Sequence, residues 1–154
     1  DALGPARRHE GAQVAGFEGD QPGDGRRAEA GGADGISLIN TVLGMAVDWR
    51  HRRPLLGNVV GGLSGPAIKP IALRMVWEAS RAVKIPVVGL GGISTGEDAA
   101  EFLIAGASAV EVGTANFWDP QAPVRIAREL DQFCQEVGVA NARELVGTLE
   151  FRKS

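Results

Sequence analysis

The sequence predicts an α/β fold, the C-terminal part of a (β/α)8 barrel preceded by an irregular leader, and three observations carry that prediction. Short apolar runs over 35–40, 86–90 and 109–112 read as strands buried on both faces of a parallel sheet. Amphipathic helical patterns follow them, giving repeated βα units. Finally, Gly91-Gly92 closes one strand and Gly113-Thr114 closes the next. In barrels the loops after the last two strands commonly build a phosphate site. A complete barrel takes about 200 residues or more. With 154 residues and three principal strands, this chain reads as part of one.

Residues 1–27 contain only Leu3, Val14 and Phe17 as large apolar side chains, and Gly and Pro interrupt every window. Such a stretch offers too little burial to offset the entropy of ordering it, so an irregular or disordered leader is expected. From Ala28 onward the text is patterned. Gly35-Ile-Ser-Leu-Ile-Asn40 reads as a buried strand, and 46–60 as two short strands around a basic turn at Arg50–Pro54. A helix is predicted over 66–83, because Ile68, Ile71, Ala72, Met75, Val76, Ala79 and Val83 fall on one face. Pro66 and Pro70 lie in its first turns, where a missing N–H matters least.

Pro86-Val-Val-Gly-Leu90 is the next strand. Ser94 and Thr95 are each followed three residues later by an acid, Glu97 and Asp98, the signature of a capping box. The helix they open stops at Gly106. Ala109-Val-Glu-Val112 forms the following strand. A last long helix over 123–137 places Ile126, Ala127, Leu130, Phe133, Cys134 and Val137 on one face, and Asn141 caps a short terminal helix.

Composition narrows the function classes. A net charge of −3 gives no support to bulk electrostatic binding of nucleic acid or acidic membranes. One cysteine excludes an internal disulfide and any multi-cysteine metal site. No metal-ligand spacing, nucleic-acid motif or catalytic triad is present. No apolar run approaches a bilayer span, and no signal pattern opens the chain. A cytoplasmic protein is expected, beginning at Asp1 inside a longer reading frame.

Glycines at strand ends let an anion approach backbone N–H groups, and a following helix dipole favours it. Gly91, Gly92, Gly113 and Thr114 suit a phosphate, the alternative being tight-turn geometry alone. Asn40 and Thr41, closing the first strand, could hydrogen-bond a planar polar ligand. The Gly-rich loop from Gly61 to Pro70 feeds directly into a helix start. Cys134 reads as a buried core thiol, His51 as part of a solvated basic turn, and Trp77 and Trp118 as packing residues.

Four strings carry a resemblance: Asn40-Thr41, G-G-L-S-G-P-A-I-K-P at 61–70, G-L-G-G-I at 89–93 and G-A-S-A-V-E-V-G-T-A-N-F at 106–117. They resemble the dihydroorotate dehydrogenases, in particular the B-type (class 1B) catalytic subunit that works with an iron–sulfur FAD electron-transfer subunit. The resemblance covers about 28–150. It implies an FMN-dependent oxidoreductase of pyrimidine synthesis, oxidising dihydroorotate to orotate, and a homo-oligomeric parent. It implies substrate contacts at Asn40 and Thr41. It also implies FMN contacts at Ile39, Gly65, Gly91, Gly92, Gly113 and Thr114, the last four around the phosphate.

The departures are equally specific. The family's catalytic cysteine and the earlier half of its barrel have no counterpart here, so no catalytic residue is assigned and the chain alone is expected to be inactive. The family's flavin-contacting Lys, in a Lys-Leu-Ser-Pro strand upstream of Asn40, falls where residues 1–27 contain no Lys. That leader has the composition of a GC-rich gene read out of frame, and a frame slip near Arg27 is the expectation. The open barrel is expected to expose sheet edges and apolar surface. Two readings stand beside this one: another FMN or phosphate-binding barrel oxidoreductase, such as a dihydropyrimidine dehydrogenase relative, and a non-catalytic remnant.

Overall fold

A computed structural model describes residues 14–16 and 23–151. The strands are β1 Val14–Gly16, β2 Gly35–Leu38, β3 Val42–Met45, β4 Val47–Asp48, β5 Arg53–Pro54, β6 Val60–Leu63, β7 Val87–Leu90 and β8 Ala109–Glu111. The helices are α1 Gly23–Ala30, α2 Lys69–Ala82, α3 Gly96–Ala105 and α4 Ala122–Glu136. Short 3-10 turns occupy Pro66–Ile68, Thr114–Phe117 and Ala142–Leu145.

Four strands form one sheet in the order β1-β2-β7-β8, every neighbouring pair parallel. The βα alternation in the sequence demands this arrangement, since a parallel strand can be reached only by a crossover. Ile36 pairs with Val87, and Leu90 with Glu111, so β2, β7 and β8 end side by side. Their C-terminal ends therefore bring Ile39–Thr41, Gly91-Gly92 and Gly113-Thr114 to one edge of the layer. A double hairpin interrupts the unit between β2 and α2: β3 pairs antiparallel with β6, and β4 with β5 inside it.

The core lies between the sheet and helices α2 and α3. Ile36, Leu38, Ile68, Val76 and Phe102 are its largest fully buried side chains. Phe102 packs so closely under the sheet that a Cβ on Gly89 would sit 2.6 Å from its ring. Helix α3 starts and stops as its sequence dictates. Thr95 accepts from the Asp98 N–H while Asp98 accepts from the Thr95 N–H, completing the capping box. Gly106 ends the helix at φ +118°, the left-handed conformation that favours glycine. Asn141 caps the last short turn through the Arg143 N–H.

Several expectations need correction. Val14–Gly16 is a strand within the 1–27 stretch expected to be irregular, and the helix Gly23–Ala30 begins inside that stretch and runs past its end. The helix is tied to its neighbours, the Arg26 Nε donating to the Ala82 carbonyl and Glu29 accepting from the Lys84 N–H. Residues 1–13 and 17–22 of the expected leader lie outside the described residues. Strand β8 is not buried on both faces: Ala109 and Glu111 are exposed, because among the described residues no strand pairs along its outer edge. Ile71, Ala127 and Val137, placed on buried faces by periodicity, are exposed. Exposed apolar side chains do concentrate on the double hairpin, with Leu43 77% and Trp49 72% accessible. At its tip Arg50 stacks on Trp49, and His51 bonds Asp48 at 2.6 Å. That bond, with the His51 backbone, holds the Asp48 carboxyl below its ordinary value.

Candidate functional site

The C-terminal ends of β2, β7 and β8 converge on a cavity of about 180 Å³. Its lining includes Ile39, Asn40, Thr41, Gly65, Gly91, Gly92, Gly113 and Thr114, all eight positions singled out in the sequence. Ser64, Pro66, Ile93 and Trp118 complete much of the wall, and among the described residues no charged side chain lines it. Cys134 lies elsewhere, buried with Ala100, Leu103 and Leu145 behind α3. Burial pushes its thiol above the ordinary value, which suits a core residue and not a nucleophile.

The glycine loops owe their shape to close packing. Gly91 has φ +119°, and a Cβ there would stand 2.9 Å from the Ala72 side chain. Gly92 has φ +84°, and its Cβ would meet the Lys69 N at 2.8 Å and the Gly65 carbonyl at 2.9 Å. Gly65 itself has φ +84°. The Gly113 loop is different. A Cβ at Gly113 meets nothing within 4 Å and would stand in open space beside the cavity. Behind it, the Asn116 side-chain amide donates to the carbonyls of Val112 (2.7 Å) and Gly113 (2.9 Å). This clamp engages the loop's acceptors. Among the described residues, the N–H groups of Gly92, Gly113 and Thr114 donate to no protein acceptor.

The helix after Gly91-Gly92 does not present its N-terminal amides to the cavity. Asp98 takes the N–H groups of Ser94 (2.8 Å) and Thr95 (3.0 Å), and the Ser94 hydroxyl at 2.9 Å. Lys69 completes the set, its Nζ 2.7 Å from Asp98 and 2.8 Å from Glu101. Burial would raise the Asp98 carboxyl, but the Lys69 and Ser94 hydrogen bonds outweigh it and leave the group at about 2. The Asp98 hydrogen bond, then Glu101, raises the Lys69 ammonium above its ordinary value. From the other side, the Glu129 carboxylate accepts from the Gly96 N–H and Arg125 donates to the Ser94 carbonyl.

Asn40 and Thr41 are both exposed at the cavity rim. The Thr41 N–H donates to Asn40 Oδ1 at 2.7 Å, a local turn that fixes the amide plane. Gly62 opposes Thr41 so closely that any Cβ there would overlap the threonine hydroxyl. Sequence reasoning missed this contact, since Gly62 and Thr41 meet only when β3 and β6 pair. It also took Trp118 as packing, whereas that residue is 57% exposed and stands at the cavity wall. Trp77 does pack, edge-on to Phe151 and under Arg81.

A family model described as dihydroorotate dehydrogenase matches residues 22–134. The chain belongs to the dihydroorotate dehydrogenase family. The match opens six residues before Ala28, so family-like sequence reaches into the expected leader. A protein of Solibacter usitatus, provisionally named dihydroorotate dehydrogenase A (fumarate), is 68% identical over 82% of this chain. The dihydroorotate dehydrogenase B (NAD(+)) catalytic subunit of Geobacter sulfurreducens is 63% identical over 77% of it. The crystal structure of the Eimeria tenella enzyme in complex with ferulenol superposes with a TM-score of 0.74 and 26% identity, over 88% of this chain. The fold is thus part of the family's (β/α)8 barrel. The chain spans 41% and 39% of the length of those two curated relatives, and 37% of the Eimeria chain.

The family is flavin-dependent, and the residues present fit an anionic group of such a cofactor. Amides without protein acceptors, carbonyls held back by Asn116 and open space at Gly113 form the kind of backbone nest that accepts an anion without a cationic side chain. Among the described residues, no helix is long and apolar enough to cross a membrane.

Proposed function

We propose that this chain supplies the phosphate side and part of the substrate side of an FMN-dependent dihydroorotate dehydrogenase, a cytoplasmic oxidoreductase that converts dihydroorotate to orotate. The observation that carries the reading is the convergence of all eight motif residues on one cavity. Gly91, Gly92, Gly113 and Thr114 would surround the phosphate, with Ile39 and Gly65 against the rest of the cofactor. At about 180 Å³ the cavity is smaller than the ~300–1,000 Å³ of complete small-ligand sites. It suits a phosphate with part of its attached chain.

When bound, FMN supplies the hydride acceptor. The chain's own residues bind and orient. Asn40 and Thr41 would hydrogen-bond the polar edge of dihydroorotate, their side chains fixed by the local turn and by the close approach of Gly62. The proton lost with the hydride needs a general base. Cys134 lies outside the cavity and cannot fill that role. The 154-residue chain alone is therefore expected to bind FMN without turnover.

An iron–sulfur FAD electron-transfer subunit and homo-oligomeric assembly belong to the same proposal, in keeping with the B-type catalytic subunits among its relatives. The test is a chimera in which residues 28–151 replace the equivalent segment of the Geobacter sulfurreducens catalytic subunit. Bleaching of its bound flavin by dihydroorotate is expected. Bleaching by dihydrouracil alone would overturn the substrate assignment, and failure to retain FMN would overturn the cofactor assignment.

A further inference from the structure

We propose that Lys69 is a positioning residue for the phosphate cradle, acting through Asp98, and not a ligand of the phosphate. The inference rests on the FMN reading above and concerns how the Gly92 amide is held. A lysine beside an anion site would ordinarily be taken as a phosphate ligand. Here it does not line the cavity. Its ammonium is engaged by two carboxylates, Asp98 at 2.7 Å and Glu101 at 2.8 Å.

The geometry gives Lys69 a grip on both ends of one loop. Its backbone closes on Gly92, where a Cβ would lie 2.8 Å from the Lys69 N and 2.7 Å from the Lys69 Cβ. Its side chain reaches Asp98, whose other oxygen holds the Ser94 N–H, the Ser94 hydroxyl and the Thr95 N–H. The segment 92–95 is thereby fixed at its start by contact with α2 and at its end by an ion pair between α2 and α3. With Asp98 absorbing the amides of Ser94 and Thr95, the anion is left with those of the Gly92 and Gly113 loops. One pair thus both shapes the cradle and selects which amides belong to it.

Titration of the 154-residue chain with FMN and with riboflavin, which lacks the phosphate, separates this role from a direct one. The unsubstituted chain is expected to prefer FMN. In Asp98→Asn and in Lys69→Met that preference should fall at least ten-fold while riboflavin affinity stays within two-fold. An Arg74→Ala control on the exposed face of α2 should leave it unchanged. If Lys69 bound the phosphate directly, Asp98→Asn would loosen its ammonium, leaving Glu101 as its carboxylate partner, and FMN affinity would hold or rise. That result, or an intact preference in both variants, overturns the positioning role. A parallel loss of FMN and riboflavin would mark general destabilisation and also overturn it. Equal binding of the two flavins by the unsubstituted chain, or no binding of either, would instead overturn the phosphate reading itself.

Discussion

The two glycine loops end neighbouring parallel strands and line one cavity, yet they are built for different reasons. At Gly92 the protein itself demands glycine: φ is +84° and the Lys69 backbone leaves no room for a Cβ. At Gly113 the protein demands nothing of the kind, because the added atom would stand in open space. One loop is braced from outside, by Lys69 and Asp98. The other is braced from within, by Asn116 on its own carbonyls. A glycine required by packing is felt in stability, whereas a glycine required by a ligand is felt only when the ligand arrives.

This difference can be broken experimentally. Gly92→Ala should have the largest effect, combining a left-handed backbone with a backbone clash. We expect a loss of about 2 kcal/mol or more in stability, read by urea unfolding with or without FMN. Gly113→Ala should leave stability within about 0.5 kcal/mol. It should nevertheless weaken FMN at least ten-fold in the same titration, since its Cβ takes space the ligand needs. Equal stability losses for the two alanine variants would erase the contrast.

Removing the Asn116 clamp should be milder. Asn116→Ala forfeits two hydrogen bonds to a partly exposed loop, a cost of about 1 kcal/mol in thermal unfolding. Of the two glycine loops, acid should act on the one at Gly92, through Asp98. The Asp98 carboxyl is held at about 2, below its ordinary 3.8, so the stability it contributes is present above pH 4 and is lost as pH falls through about 2. Asp98→Asn should flatten that part of the acid unfolding curve. Arg74→Ala should barely register, because the exposed Arg74–Glu78 pair on one helix face contributes at most about 0.5 kcal/mol.

Local chemistry was the legible part of this fold. The Thr95–Asp98 box, the Gly106 stop and the Asn141 cap each depend on residues a few positions apart, and all three appear as their sequences dictate. The parallel order of β2, β7 and β8 follows from helices too long to be hairpins. Contacts made across the chain were not legible in this way. Nothing near Lys69 in sequence announces Asp98, and Thr41 meets Gly62 only through strand pairing.

Periodicity also failed where the layer ends. It marks which side of a helix is apolar, not whether anything covers it, so Val137 and Ile71 read as buried and are exposed. Composition misled similarly near the start. The helix Gly23–Ala30 crosses the end of the stretch read as irregular, because Arg26, Arg27, Ala28, Glu29 and Ala30 are good helix formers and the segment packs beside β2 and α2. There, local preference over 26–30 and tertiary contact together outweigh the cost of Gly23 and Gly25.

The most direct test of the central claim is amide NMR of the 15N-labelled chain during addition of FMN. The Gly92, Gly113 and Thr114 amide resonances should shift together with one affinity, and riboflavin should move them far less. Shifts confined to other residues, or identical responses to the two flavins, would contradict it.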